Sequence, residues 1–332
     1  MADKTLEDVV RKAFSTSAKH VGFAFQGGEP TIAGLEFFER FMEFESRYRP
    51  AGVHVIRSIQ TNGMLLDASW ADFFRENCFL VGISIDGSAE LHNINRVDTA
   101  GKGTFSRASA AFSLMQRSGV DTNILCVVTG QTARRAGAVY AALRKMGCRY
   151  MQFIPCLDPL GAERGNEPFS LRPERYATFL KTLFDLWYKD WKNGDYVSVR
   201  LFDDYVHILA GRPTGSCASN GSCGSYIVVE SDGSLYPCDF YTYERWRLGN
   251  IADGDLASFL ERGKTFIEKG AGEKCASCKY FHVCRGGCKR DRFADCGENY
   301  YCPAFIEFFD HAMERLMEIA SLERLVAYEG KS

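Results

Sequence analysis

The stretch Val21–Gly22–Phe23–Ala24–Phe25–Gln26–Gly27–Gly28–Glu29–Pro30–Thr31 reads as a short apolar strand, a turn built on two glycines, and the approach to a helix. In a parallel α/β sheet such a turn lies at the C-terminal end of a strand, where ligands bind. The glycines let a ligand come close to the backbone, and the Glu29 carboxylate is suited to accept hydrogen bonds from a ligand ammonium. An ordinary strand–helix turn is the plainer reading. The spacing is not the G-x-G-x-x-G of dinucleotide sites.

Outward from this stretch the same alternation repeats. Apolar runs at 21–25, 53–59, 80–85, 123–129 and 151–156 are four to eight residues long and rich in Val, Ile or Phe. Amphipathic segments at 35–49, 68–76, 106–118 and 133–145 separate them; in the first, Leu35, Phe38, Met42 and Glu45 trace one stripe, with Arg40 and Glu43 off it. Strands alternating with helices predict right-handed crossovers and a parallel sheet, open or closed into a barrel. Near-continuous apolar runs predict strands buried on both faces. Beyond a polar loop at 159–168, Pro173 opens a helix to about 193, and Asp203–Asp204 read as N-cap carboxylates of another that ends at Gly211 and Pro213. A hairpin signal spans 227–236, and 304–327 reads as a closing helix.

The chain has 332 residues, 46% hydrophobic and 25% charged, so it can bury a sizeable core and is not disordered. Its net charge of −2 argues against broad binding to nucleic acid or an anionic membrane. No apolar run is long enough to span a bilayer, and the acidic start Met1–Ala2–Asp3–Lys4–Thr5–Leu6–Glu7–Asp8 does not resemble a signal peptide. The expected location is the cytoplasm. There, 13 cysteines are an anomaly, because a reducing compartment does not keep structural disulfides.

Cys78, Cys126, Cys148 and Cys156 are scattered among apolar neighbours and read as small buried hydrophobes. The other nine fall between Cys217 and Cys302, as Cys217-x5-Cys223-x14-Cys238 and Cys275-x2-Cys278-x5-Cys284-x3-Cys288-x13-Cys302, with Cys296 fitting neither spacing. Such clustering marks metal ligands. Four thiolates suit tetrahedral zinc or an iron–sulfur cluster, and spacing leaves both open. Asp239 follows Cys238 directly and sits among aromatics in Tyr236–Pro237–Cys238–Asp239–Phe240–Tyr241, which makes a positioned general base plausible. Gly263–Lys264–Thr265 is not a P-loop, because Ser258 replaces the required glycine. The six histidines show no ligand spacing, and Arg285, Lys289, Arg290 and Arg292 read as a solvated basic rim.

Together, Phe25–Gln26–Gly27–Gly28–Glu29–Pro30–Thr31, Gln60–Thr61–Asn62–Gly63, Ser84–Ile85–Asp86–Gly87, the segment around Asp239 and the run from Cys275 to Cys302 resemble the anaerobic sulfatase-maturating enzymes. These are radical SAM proteins whose SPASM module carries two auxiliary [4Fe–4S] clusters. The resemblance covers essentially the whole chain and raises iron–sulfur above zinc. It implies an α/β fold: a partial (β/α) radical SAM barrel over 1–200, followed by a cysteine-rich SPASM domain with its closing helix over 201–332. It implies S-adenosylmethionine contacts at Gly28, Ser84, Arg96 and Leu157, substrate contact at Gln26, and Asp239 as catalytic base. It assigns one auxiliary cluster to Cys217, Cys223, Cys238 and Cys288, and the other to Cys275, Cys278, Cys284 and Cys302, leaving Cys296 over. The implied reaction oxidises a Cys or Ser of a sulfatase polypeptide to Cα-formylglycine, with electrons from a reduced flavodoxin or ferredoxin-type donor.

The sequence departs from the family in one respect. The C-x3-C-x2-C motif that chelates the SAM-binding cluster should precede Gly27, and no cysteine precedes Cys78. The expectation is therefore an N-terminally truncated chain that lacks the first barrel strand, leaves a sheet edge unpaired and cannot cleave SAM as written. Two alternatives remain open: another SPASM-type peptide-modifying radical enzyme, and a non-catalytic cluster protein that binds peptides or relays electrons.

Overall fold

The computed structural model describes residues 1–266 and 270–329. Helix α1 (Asp3–Phe14) precedes a six-stranded sheet of β1 (His20–Phe25), β2 (His54–Thr61), β3 (Phe79–Ser84), β4 (Thr122–Val128), β5 (Tyr150–Pro155) and β6 (Ser198–Val199). The strands lie side by side in chain order and every neighbouring pair is parallel. Right-handed crossovers that always step the same way leave all the connecting helices on one face, so the sheet curls as part of a barrel. Those helices are α2 (Leu35–Tyr48), α3 (Ala68–Glu76), α4 (Ala89–Asn95), α5 (Phe105–Arg117), α6 (Gly130–Ala133), α7 (Ala136–Lys145) and α8 (Pro173–Lys192).

The helix-facing side is a dense aromatic core. Phe25 packs edge-on against Phe38 and Phe41 with ring centroids 5.0 Å apart in each case, and Phe38 meets Trp70 at 5.3 Å. Burying each such ring contributes about 1.5–3 kcal/mol. The α2 stripe runs through Phe37, Phe38, Phe41, Phe44 and Glu45. Glu45 is tolerated inside because Arg57 of β2 meets its carboxylate, with Nε donating to Oε2 at 2.6 Å.

The opposite face corrects the expectation of strands buried on both sides. Gly22, Ala24, Ser58, Gln60, Gly82 and Ser84 alternate with the core residues, and even the apolar Ile56 and Leu80 on this face are 63% and 41% exposed. This is an open inner wall lined by small and polar side chains.

Three further expectations are revised. The 133–145 helix is broken: α6 is started by Thr129, whose hydroxyl accepts from Thr132 N at 3.1 Å, and Arg135 leaves helical geometry before α7. Asp203 and Asp204 do not cap a helix, because α9 (Arg200–Leu209) already contains them. The Asp203 carboxylate accepts from the Ser198 hydroxyl at 2.5 Å and the Tyr196 phenol at 2.9 Å, and burial pushes its pKa up to about 6. Asp204 accepts from the Ser219 hydroxyl at 2.8 Å, tying α9 to α10 (Cys217–Asn220). Finally, Cys78 is exposed and left-handed at φ 52°, unlike the buried Cys126 and Cys148 and the half-buried Cys156.

The cysteine-rich part carries β7 (Val228–Val229), β8 (Ser234–Tyr236) and β9 (Gly249–Asn250) as a small antiparallel sheet, then α11 (Leu256–Thr265) and α12 (Phe281–Cys284). The closing helix α13 (Cys302–Glu329) lies on α8 and α9, with Ala304, Phe308, Ala312 and Leu316 buried at four-residue spacing. Phe308 stacks on Phe202 at 5.6 Å and meets Phe184 edge-on at 5.6 Å, so both parts share one core. Among the described residues no helix is long and apolar enough to cross a membrane.

Candidate active site and thiol groups

The C-terminal edge of the sheet gathers the residues singled out from the sequence. Gln26, Gly27 and Gly28 follow β1, Ser84 ends β3, Arg96 follows α4, and Leu157 stands two residues beyond β5. Gly27 and Gly28 have φ of 86° and 52°, and a Cβ on either would meet no atom within 4 Å. Two left-handed residues in succession favour glycine, and the space beside them is open to a ligand.

Glu29 has an internal role that its sequence context did not suggest. Its Oε1 accepts from Thr31 N at 3.1 Å, the Thr31 hydroxyl at 2.6 Å and the Thr61 hydroxyl at 2.7 Å, while Oε2 accepts from Asn62 N at 2.7 Å. The carboxylate thereby fastens the β1 loop to the end of β2. Arg96 is held in the same manner: its Nε donates to Asp86 Oδ2 at 2.5 Å, and Asp86 Oδ1 also accepts from Val127 N at 2.8 Å. Behind this pair His92 is 1% exposed, with Nδ1 accepting from Asp86 N at 3.2 Å and Nε2 lying 3.0 Å from Thr104 Oγ1. Burial lowers its pKa to about 4, so the ring is neutral and structural.

Asp239 follows β8 and meets the sheet edge. Gln26 Nε2 donates to its Oδ2 at 3.1 Å, bringing together the expected substrate-contact residue and the expected base from positions 213 apart in the chain. Its Oδ1 accepts from the Tyr226 hydroxyl at 2.6 Å and from the Cys238 thiol at 3.3 Å. Tyr226 was not evident from its residue type or any motif. The hairpin could have located it: the β7–β8 register pairs Val228 with Tyr236, and continuing it outward sets Tyr226 opposite Cys238.

The eight spaced cysteines fall into two groups. Cys288 feels the charges of Cys217 and Cys238, and Cys217 that of Cys223. Cys275, Cys278, Cys284 and Cys302 line a cavity of about 310 Å³ walled by Tyr280, Phe281, Phe305 and Phe309. Burial pushes the Cys238 thiol up to about 12 and Cys284 up to about 11, and raises Cys288 too. Such thiols stay protonated unless a metal displaces the proton. A single zinc would draw four sulfurs to within about 3.8 Å of one another, given Zn–S bonds of about 2.3 Å. The second group borders a volume instead of a point, which suits a polynuclear iron–sulfur cluster. Cys296 is exposed and outside both groups.

The basic rim is corrected as well. Arg290 is 7% exposed and donates to Asp158 O at 2.7 Å, while Arg292 donates to the carbonyls of Gly286 and Gly287 at 3.2 and 3.0 Å. The Arg290 bond and the Arg164–Asp291 pair at 3.4 Å fasten the loop after β5 to the cysteine-rich part, while Arg292 braces a turn within it. Asp158 itself accepts from Gly165 N at 3.1 Å.

Residues 1–143 match the Radical SAM superfamily and residues 220–289 an iron–sulfur cluster-binding domain. The chain is 46% identical over 329 residues to the cysteine-type anaerobic sulfatase-maturating enzyme of Clostridium perfringens (strain 13 / Type A), covering 97% of this chain and 89% of that one. It is 32% identical over 322 residues to the serine-type anaerobic sulfatase-maturating enzyme of Klebsiella pneumoniae, covering 95% and 80%. Among solved structures, native anSMEcpe with bound AdoMet and Kp18Cys peptide superposes with a TM-score of 0.93 at 46% identity, over 97% of this chain and 91% of that chain.

Proposed function

We propose how this chain works from the premise of what it is: it belongs to the anaerobic sulfatase-maturating enzymes, radical SAM oxidoreductases with an iron–sulfur cluster-binding module that convert Cys or Ser to formylglycine. Its cofactors are S-adenosylmethionine and [4Fe–4S] clusters, and its substrate is a sulfatase peptide. We assign the two auxiliary clusters to the two thiol groups, and the S-adenosylmethionine contacts to Gly28, Ser84, Arg96 and Leu157. No cysteine stands ahead of Gly27 in these 332 residues, so the eight thiols from Cys217 to Cys302 are the cluster ligands assigned within them.

When bound, the cofactors supply a 5′-deoxyadenosyl radical that removes a Cβ hydrogen, together with clusters that accept the remaining electron. The chain supplies the rest. The β1 loop offers open backbone at Gly27 and Gly28, with Glu29 holding its shape. Arg96, fixed by Asp86, presents a cation at the same edge. Asp239, next to a cluster ligand and held by Gln26, takes the thiol or hydroxyl proton of the substrate residue as Cβ is oxidised. Proton removal would then take place beside Cys238, a residue assigned to one of the clusters.

The observation that carries this reading is the 3.1 Å contact of Gln26 with Asp239, which joins the sheet edge to a residue adjacent to Cys238. We favour cysteine over serine as the target residue, since identity is 46% to the cysteine-type enzyme and 32% to the serine-type one. A reduced flavodoxin or ferredoxin-type protein serves as donor, in the cytoplasm. The test is anaerobic turnover of paired sulfatase-motif peptides carrying Cys or Ser, by the chain extended with a C-x3-C-x2-C segment ahead of Gly27, with formylglycine read by mass. The Cys peptide is expected to react faster. Equal turnover removes the preference, and no formylglycine from either peptide removes the reaction.

A further inference from the structure

We propose that Tyr226 is a positioning residue for this reaction, holding Asp239 with its phenol O–H while the same oxygen touches the Cys238 sulfur. The inference rests on the reading of Asp239 as base and Cys238 as cluster ligand.

The two carboxylate oxygens of Asp239 are held from opposite sides of the molecule. Oδ1 takes the Tyr226 hydroxyl at 2.6 Å, from the cysteine-rich part; Oδ2 takes Gln26 Nε2 at 3.1 Å, from the sheet edge. Rotation of the carboxylate about Cβ–Cγ breaks both bonds, so together they fix the plane in which it meets a substrate. Gln26 is exposed after β1 and can be displaced by an arriving peptide. Tyr226 is the anchor that remains.

The thiol contact sharpens the argument. In the protonated form, Cys238 Sγ donates to Asp239 Oδ1 at 3.3 Å. A thiolate on iron has no proton to give, so that bond is lost on ligation. The Tyr226 hydroxyl, 2.6 Å from the carboxylate oxygen and 3.3 Å from the sulfur, is then the side-chain donor these two acceptors share. A phenol has one proton. The charged carboxylate, being nearer, takes it, so the phenol turns its oxygen, not its proton, toward the sulfur. The negative end of that dipole beside a cluster sulfur disfavours added electron density and lowers the reduction potential. The same hydroxyl therefore orients the base and tunes the acceptor beside it. Tyr226 is 37% exposed, so removing the hydroxyl disturbs little packing.

The test is Tyr226→Phe in the anaerobically reconstituted enzyme, extended with the C-x3-C-x2-C segment, with the Cys peptide. Iron content should be unchanged. Formylglycine kcat should fall about 10- to 100-fold, as for other residues that hold a reacting group in place, with KM and 5′-deoxyadenosine release within about twofold of wild type. The midpoint potential of the cluster at Cys238 should move positive, because the oxygen lone pairs beside the sulfur are removed. A wild-type formylglycine rate overturns the proposal, and so does a reduced rate with an unmoved potential, which a merely structural loss would give. If the variant fails to load iron, 3-fluorotyrosine at position 226 keeps the hydroxyl, strengthens it as a donor and leaves its oxygen less negative. The potential should then move positive, and an unmoved value overturns the proposal. Asp239→Asn run alongside separates the two readings, because full formylglycine yield from that variant removes the base itself.

Discussion

The C-terminal edge of the parallel sheet and the cysteine-rich part meet at Asp239, and they are organised by different means. At the sheet edge the charged groups Glu29, Asp86 and Arg96 already have their partners. Glu29 accepts four hydrogen bonds, and Asp86 holds Arg96 while its backbone N–H meets a buried neutral histidine. In the cysteine-rich part the central groups are thiols that burial keeps protonated, around spaces that no side chain fills. The first region is preorganised by the chain alone, so its geometry is ready for a ligand. The second is completed by iron, and its order should depend on iron.

Removing the metal is the hardest test of that contrast and should produce the largest effect. Anaerobic chelation should raise amide hydrogen exchange by orders of magnitude across 214–302 while the amides of β2 to β5 stay protected. Equal loss in both regions would break the comparison. Next comes Asp239→Asn, where the two regions touch, made in the enzyme extended with the C-x3-C-x2-C segment. General-base catalysis is worth about 10²- to 10⁴-fold, so formylglycine formation should fall by that much with 5′-deoxyadenosine still released. Normal formylglycine yield would sink the assignment. Cys238→Ala and Cys284→Ala should each cost about four irons per chain by iron analysis, from different groups, if each thiol holds a [4Fe–4S] cluster. An unchanged count from either would return that cysteine to the unassigned set.

How much of this was legible depended on whether the deciding partner was local. Five of the six strands of the sheet were readable within a residue or two, because Val, Ile and Phe runs between amphipathic segments leave few alternatives; β6, two residues long, has no such run and was missed. The two thiol groups were divided by resemblance, because spacing alone does not say which cysteines share a site. The open inner wall was obscured by Ile56 and Leu80, apolar residues that sit on the exposed side and make their strands look uniformly buried. Arg290 looked like a rim cation because its acceptor, the Asp158 carbonyl, is 132 positions away. Asp203 looked like a cap because Asp is a common N-cap, yet Ser198 and Tyr196 claim its carboxylate. Tyr226 belongs to no motif and needed the hairpin register to acquire a partner.

The smallest effect sharpens the comparison from the sheet side. His92 is buried and neutral, with its pKa lowered from 6.5 to about 4 chiefly by burial. Between those values the unfolded chain binds a proton that the folded one refuses, so stability is complete above about pH 6.5 and declines as pH falls toward 4, where this contribution is exhausted. At pH 5 the loss is about 2 kcal/mol. His92→Gln keeps an acceptor for the Asp86 N–H without a titrating ring, so its unfolding free energy should fall less than that of wild type between pH 7 and pH 5. The difference should persist in the iron-free protein, because the Asp86–His92–Thr104 arrangement owes nothing to the thiols. If the difference appears only with iron bound, the sheet edge is not independently organised.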